Sequence, residues 1–138
     1  MSSFPRQIVV GYDDSEASRQ ALERVADIAR DGASVTLVGA AEPLFSEPWG
    51  GQFDPREAER RDQALANGRE LLARRGIEAR TIPAVGDPAE AILEAAREAD
   101  ADLVVVGHRG RGFVARLTLG SVSTKVVQQA EQPVLVAR

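Results

Sequence analysis

Residues 102–123 read DLVVVGHRGRGFVARLTLGSVS, and this stretch decides which fold the chain can adopt. Its first part, as far as Gly107, is nearly all aliphatic, which is typical of a strand buried on both faces of a parallel sheet. A glycine-containing connection follows, and Ser121 and Ser123 stand where a helix is expected to begin. A strand, a connection and a helix in this order predict one unit of an α/β fold.

The rest of the chain repeats this alternation. Besides residues 102–107, β-like runs cover residues 7–12, 34–41, 78–84 and 133–137. Helical patterns cover residues 15–31, 54–75 and 87–99, and a last one runs from about 121 to before 133. Strands alternating with helices predict a single α/β domain over residues 1–138, with an open, five-stranded, mainly parallel sheet covered by helices on both faces. The run at 78–84 is the least apolar and is expected at an edge.

Two helix starts are marked by aspartate followed by proline. Asp54 and Asp87 are expected at the N-cap, with proline in the first helical position and Glu57 or Glu90 in the third, as in a capping box. Gly68 lies inside the first of these helices and is expected to cost about 1 kcal/mol relative to alanine.

Composition excludes several classes of function. The 138 residues contain no cysteine, which rules out a thiol nucleophile, thiolate metal sites and disulfides. A net charge of −4 argues against general nucleic-acid binding, which usually shows a basic footprint. Neither a signal peptide nor an apolar run long enough to span a bilayer is visible, so we expect a cytoplasmic protein without a membrane partner.

The glycine-containing connection suits phosphate binding. Glycines allow close backbone approach to a ligand, and a helix N-terminus attracts phosphate through its free N–H groups. The arginines of the stretch, Arg109, Arg111 and Arg116, could offset triphosphate charge. Neither the Walker A pattern nor the dinucleotide fingerprint is present. On the residues alone, a tight strand-to-helix connection with serine caps explains the stretch equally well.

The whole chain resembles the universal stress protein family, in particular its ATP-binding branch. That branch carries G-x2-G-x9-G-[ST] after the fourth strand, and Gly107, Gly110, Gly120 and Ser121 meet every position of it. QIVVGYDDSEAS at the start and LGSVSTKVVQQAEQPVLVAR at the end are similar to further blocks of the family, in the same order.

The resemblance implies a Rossmann-like fold of the adenine nucleotide alpha hydrolase type, with strand order 3-2-1-4-5, and ATP as ligand, with or without Mg²⁺. Asp13 matches the acidic residue on the ribose or adenine side, and Tyr12 and Ala40 match the neighbourhood of the adenine. The implied nucleotide-binding residues are Tyr12, Asp13, Ala40, Gly107, His108, Arg109, Gly110, Gly120, Ser121, Val122 and Ser123. Neither a catalytic residue nor a metal site made by side chains alone is implied.

Two positions depart from the family pattern. Asp14 stands where the family often has glycine, and His108 stands where a small hydroxyl residue is common. His108 is the sole histidine, and we interpret it as a solvated or ligand-stacking group rather than a catalyst. For the last strand, the resemblance implies a homodimer paired through Val134, Leu135 and Val136, and the alternative is an edge shielded within the monomer.

Three functions follow from these patterns. The first is a small dimeric regulatory protein of the stress response, in which ATP occupancy shifts conformation or partners. The second is a slow ATPase, and the third is an adaptor that binds proteins without nucleotide. For the adaptor, the aromatic segment at residues 42–53 is either a lid or partner surface, or a surface excursion whose aromatic residues dock on the core.

Overall fold

The chain alternates strands and helices from end to end. A computed structural model describes residues 4–42, 54–109 and 119–138. The elements, in chain order, are β1 (Gln7–Gly11), α1 (Glu16–Ile28), β2 (Ser34–Ala41), α2 (Pro55–Arg74), β3 (Ala79–Val85), α3 (Pro88–Glu98), β4 (Leu103–Gly107), α4 (Ser121–Gln129) and β5 (Val134–Ala137). Each lies within a run predicted from sequence, apart from Val85 at the end of β3. The largest difference is α1, which ends at Ile28 because Ala29 is already extended.

The strands form one five-stranded sheet in the order β3-β2-β1-β4-β5, and every pairing is parallel. The predicted fold class and strand order are therefore confirmed. The order reverses between β1 and β4, because the chain leaves β1 toward β2 and comes back from β3 to β4. In an open α/β sheet, this switch point opens a crevice beyond the carboxyl ends of the strands.

Each face of the sheet carries a core of its own. On one face, α1 and α2 cover side chains such as Val10 and Leu37, which are fully buried. On the other face, α3 and α4 cover Val9, Val104 and their neighbours. Successive residues of a strand point to opposite faces, so the continuous valine runs of β1 and β4 supply both cores.

The predicted helix caps are present. The Asp54 carboxylate accepts a hydrogen bond from the N–H of Arg56 at 3.0 Å, and the Asp87 carboxylate accepts one from the N–H of Glu90 at 3.0 Å. Gly68 has a packing reason that its helix propensity does not reveal. A Cβ at this position would lie 2.8 Å from Cε2 of Tyr12 and 3.0 Å from Cδ1 of Leu37, so glycine lets α2 lie close to β1 and β2.

The two edges of the sheet differ. The prediction that the third strand lies at an edge is confirmed, since β3 pairs with β2 alone, and Pro83 within it is typical of an edge strand. At the other edge, Val134, Leu135 and Val136 of β5 are partly buried and pair with β4. Among the described residues, none of the helices combines the length and apolar character that a bilayer crossing needs.

Candidate functional site

A crevice of about 320 Å³ opens at the switch point, beyond the carboxyl ends of β1, β2 and β4. It brings together segments that are far apart in sequence: the β1–α1 turn, the end of β2, the end of β4 and the first turn of α4. The predicted site residues in its wall are Tyr12, Asp13, Ala40, Gly107, Arg109, Gly120, Ser121, Val122 and Ser123. Gly110, Arg111 and Arg116 lie outside the described residues, as does most of the 42–53 segment.

Asp13 lies in the turn that connects β1 to α1. Its Oδ1 accepts a hydrogen bond from the N–H of Ser15 at 3.0 Å, which fixes the direction of the carboxylate. Ser15 is itself the N-cap of α1, with its hydroxyl oxygen accepting from the N–H of Ser18 at 3.2 Å. The carboxylate is therefore held by the same turn that starts the helix.

The next residue, Asp14, has φ of +64°, in the left-handed region that favours glycine. Glycine would adopt this conformation without strain. The Tyr12 hydroxyl donates to Asp14 Oδ1 at 2.8 Å, and the Asn67 amide donates to Oδ2 at 3.0 Å. Burial, followed by the bond to the Asp14 carboxylate, raises the pKa of the Tyr12 phenol far above its ordinary value.

On the opposite wall, the N-terminus of α4 differs from the other helix starts. The helices α1, α2 and α3 have side-chain caps from Ser15, Asp54 and Asp87, whereas the N-cap of α4 is Gly120, with no side-chain cap bond among the described residues. The first turn of α4 lines the crevice from Gly120 to Ser123, and the N–H groups of a helix start can donate to an anion there.

The hydroxyl of Ser123 is used within the fold. Its Oγ lies 2.9 Å from the carbonyl oxygen of His108 and 3.1 Å from that of Gly120, and the residue is buried. The N–H of Gly120 also donates to the His108 carbonyl, at 2.7 Å. These bonds fix the start of α4 against the end of β4. Ser123 thus shapes the crevice wall through the bonds of its hydroxyl to backbone carbonyl groups.

Gly107 has a reason to be glycine that does not involve a ligand. A Cβ there would lie 2.8 Å from the carbonyl carbon of Ala17 and 2.9 Å from the nitrogen of Ser18, which are backbone atoms of α1. Close helix–strand packing therefore requires glycine at this position. The sequence offered ligand approach or a tight strand-to-helix connection as explanations for this stretch, and neither anticipates the contact of Gly107 with α1.

His108 is the predicted site residue that the structure keeps out of the crevice. Its ring Nδ1 lies 3.1 Å from the carbonyl oxygen of Ala137, in the last position of β5. With the proton on Nδ1, the ring donates to that oxygen and faces a separate cleft that Glu16 and Arg138 also line. Arg109, the next residue, lines both this cleft and the crevice.

The charges of the crevice are mixed. Among the described lining residues, the acidic ones are Asp13, Glu42 and Glu57, and Arg109 is the basic one. The chain's lysine, Lys125, is on α4 but forms ion pairs with Asp87 and Glu90 at 3.1 and 2.9 Å. Attraction of an anion to the described wall therefore depends on the α4 N–H groups and Arg109.

Comparisons with known proteins agree with this geometry. The sequence profile of the universal stress protein family matches residues 5–138. The chain belongs to this family. A universal stress protein of Thermus aquaticus, described as lying in the 3′ region of the QAH/OAS sulfhydrylase, is 39% identical over 138 residues, covering 96% of this chain and 98% of the relative. The family membership predicted from the motifs is thus confirmed.

Two solved universal stress proteins contain adenine nucleotides. One, from Archaeoglobus fulgidus in complex with dAMP, is 25% identical, with a TM-score of 0.76 and 100% coverage of both chains. Another, in complex with cAMP, is 26% identical, with a TM-score of 0.76 and 99% coverage of both chains. In each case the nucleotide is bound to that relative.

Sequence reasoning missed about half of the described crevice wall in this universal stress protein. The missed residues are Gly11, Ser18, Val38, Gly39, Glu42, Glu57, Pro88, Ile92 and Val106. Most of them are explained in the sequence as strand, helix-stripe or cap residues. A residue with such a structural explanation gives no separate sign that it also lines the crevice. Gly11, Gly39 and Val106 carried a usable signal, since each immediately precedes a predicted site residue.

Proposed function

We propose that this protein binds an adenine nucleotide, ATP in particular, in the crevice at the switch point of the sheet. The single observation that carries the proposal is the pairing of two walls. One wall presents the Asp13 carboxylate, and the other presents the start of α4, to which no described side chain forms a cap bond. Two relatives of this family hold dAMP and cAMP, which supports an adenine nucleotide as the class of ligand.

The chemistry of the walls suggests an orientation for the ligand. Phosphate oxygens would accept from the first N–H groups of α4 at Ser121 and Val122, with Arg109 offsetting charge. Ribose hydroxyls would donate to the Asp13 carboxylate, a role that acidic residues have in other nucleotide folds. The base would lie between Tyr12 and Ala40, at the carboxyl ends of β1 and β2.

Titration calorimetry tests the proposal. ATP, AMP, dAMP, cAMP and adenosine are titrated into the wild type, each with and without Mg²⁺. The variant Gly120→Val, Ser121→Ala changes the start of α4, and Arg74→Ala on the exposed side of α2 serves as the matched control. We expect the control to match the wild type and the α4 variant to bind at least about tenfold more weakly, the equivalent of about 1.4 kcal/mol.

Two results would remove parts of the proposal. If none of the five ligands binds the wild type, the crevice is not a nucleotide site. If the α4 variant binds ATP as the wild type does, the helix start does not hold the phosphates. A ranking of ATP above AMP would identify the triphosphate as the preferred ligand, and the reverse ranking would replace ATP by a monophosphate.

We further propose that the protein is a cytoplasmic regulatory homodimer, paired through β5, whose nucleotide occupancy alters its conformation or partners. The described residues of β5 pair with β4 on one side, which leaves the other side of the strand as an edge. Sedimentation velocity is expected to show a dimer for the wild type and for Val85→Lys at the opposite edge, but a monomer for Val136→Lys. A monomeric wild type would contradict this part.

Hydrolysis is expected to be at most slow. The ring of His108 lies against Ala137 and does not line the crevice, so it is not placed to activate a water there. Incubation with Mg-ATP should therefore release phosphate at close to the background rate. Release well above background that is lost in the α4 variant would make this protein an ATPase.

A further inference from the structure

Asp14 combines an unfavourable backbone conformation with a set of side-chain bonds that hold it there. It is one of two described residues other than glycine with positive φ, the second being Asp100. The left-handed region is unfavourable for residues other than glycine, although aspartate tolerates it better than most. Such a conformation persists where the surrounding structure determines it, and it often occurs at functional sites.

The bonds to Asp14 come from the β1–α1 turn itself and from two helices. The Tyr12 hydroxyl reaches one carboxylate oxygen at 2.8 Å across the turn, and the Asn67 amide reaches the other at 3.0 Å from α2. Arg19 of α1 also donates to the Asp14 carbonyl, and its guanidinium lies 3.6 Å from the carboxylate. One side chain therefore connects the β1–α1 turn to both helices of this face.

The partners of Asp14 are themselves fixed in place. The Asn67 oxygen accepts from the Gln63 amide at 3.0 Å, which leaves the Asn67 nitrogen directed at Asp14. The Tyr12 ring is buried and lies against Gly68, the residue after Asn67, so closely that a Cβ there would be 2.8 Å from the ring. The bonds to Asp14 thus depend on the close approach of α2.

We propose that Asp14 is a positioning residue, whose bonds to Tyr12 and Asn67 hold Asp13 in its direction toward the nucleotide and fix α2 to the same turn. Asp13 lies between Tyr12 and Asp14, whose side chains are hydrogen-bonded to each other. The backbone at Asp13 is then restrained on both sides, and its carboxylate accepts from Ser15 within the same turn. The inference rests on the proposed function only for its effect on affinity.

The tyrosine offers a direct probe of these bonds. Tyr12 is the sole tyrosine of the chain, so the ultraviolet absorbance change of a phenol on ionisation reports this residue alone. Burial and the hydrogen bond to Asp14 raise the pKa of Tyr12, with smaller contributions from the charges of Asp14 and Asp13, while Arg19 opposes them. Removing the Asp14 carboxylate should lower the titration midpoint by part of this rise, since burial remains.

The experiment compares three replacements at one position. Asp14→Gly removes the carboxylate and suits positive φ, Asp14→Ala removes it and does not, and Asp14→Asn keeps an oxygen for the Tyr12 hydroxyl. Tyr12→Phe gives the absorbance blank, and Arg74→Ala serves as the surface control on α2. Four quantities are measured for each protein: the midpoint of phenol ionisation, the hydrogen-exchange rate of the Ser15 amide, the melting temperature and the affinity for ATP.

We expect Asp14→Gly to show a lower phenol midpoint, faster exchange of the Ser15 amide and a melting temperature near that of the wild type. Its affinity for ATP should fall about tenfold, the effect of about one hydrogen bond of 1.4 kcal/mol. Asp14→Ala should show the same losses and also melt earlier. Asp14→Asn should recover most of the affinity.

An unchanged phenol midpoint in Asp14→Gly, with both proteins still folded at that pH by circular dichroism, would show that the bond to Tyr12 does not form in solution and would overturn the inference. Unchanged exchange at Ser15 would overturn it as well, because Asp13 would then be held without Asp14. If the wild type binds no nucleotide at all, the proposed function fails, while the phenol and exchange measurements still decide whether Asp14 holds the turn.

Discussion

Replacing Gly107 by alanine should destabilise this protein by about 2 kcal/mol, within the range for adding a methyl group to a filled core. The added Cβ would lie 2.8 Å from the carbonyl carbon and from the Cβ of Ala17, and 2.9 Å from the nitrogen of Ser18. Relieving these contacts to about 3.5 Å requires a movement of roughly 0.7 Å. The atoms in contact are mostly backbone, so the first turn of α1 must shift as a unit.

Gly11 provides the matched control, because it also lies at the carboxyl end of a strand in the crevice wall. A Cβ on Gly11 would lie 2.5 Å from Cδ1 of Ile92, the end of a flexible side chain. A rotamer change of Ile92 can relieve that contact, at about 1 kcal/mol. Gly107→Ala should therefore be the more harmful substitution, although the shortest contact belongs to Gly11→Ala.

The assay is reversible unfolding in urea, supported by thermal melting. For a domain of this size, 2 kcal/mol corresponds to a fall in melting temperature of about 8 °C, and 1 kcal/mol to about half of that. The steric reasoning is refuted if Gly107→Ala is as stable as the wild type, or if Gly11→Ala loses more stability than Gly107→Ala. Either result would mean that α1 adapts more easily than the Ile92 side chain.

Two further predictions concern α2 and α3. Gly68→Ala should lower the free energy of unfolding by about 1 kcal/mol, because overpacking against the Tyr12 ring exceeds the gain of about 1 kcal/mol in helix propensity; a more stable variant by urea unfolding would contradict this. Asp87→Ala should cost about 1 kcal/mol at pH 7 through the lost cap of α3. Burial opposes ionisation of Asp87, but the Glu90 N–H and Lys125 outweigh it and lower the pKa of this carboxyl. The stabilisation by the Asp87 carboxylate is therefore complete above the unfolded pKa of about 3.9 and is lost as the pH falls through the lower folded pKa. The melting temperatures of the wild type and of Asp87→Ala should converge as the pH is lowered from 6 to 2.

Most of the fold could be predicted from local patterns. Continuous aliphatic runs, aspartate–proline caps and helical patterns are all visible in neighbouring residues, and the nine elements of the described residues lie within a few residues of where these patterns placed them. The end of α1 was wrong by three residues because its apolar stripe continues to Ala29, whose backbone has already left the helix. The strand order came from the family resemblance.

The site was harder to predict, since its wall is assembled by the topology of the sheet. Asp13 and Gly120 were found through a motif, whereas Glu57 and Ile92 were not, because each has a sufficient explanation as a cap or core residue. The glycines show the same difficulty. Sequence marks Gly107 and Gly68 as unusual, but only the packed structure shows that neighbouring backbone and ring atoms leave no room for a methyl group.

The bond between the N–H of Gly120 and the carbonyl of His108, at 2.7 Å, has a consequence for how this chain can evolve. It joins the two ends of the segment 109–119, so the chain returns to its starting point before α4 begins. Lengthening a segment whose two ends are joined in this way costs little closure entropy. Insertions there should leave the melting temperature nearly unchanged. The interval of nine residues between Gly110 and Gly120 would then matter for the proposed nucleotide and not for the fold.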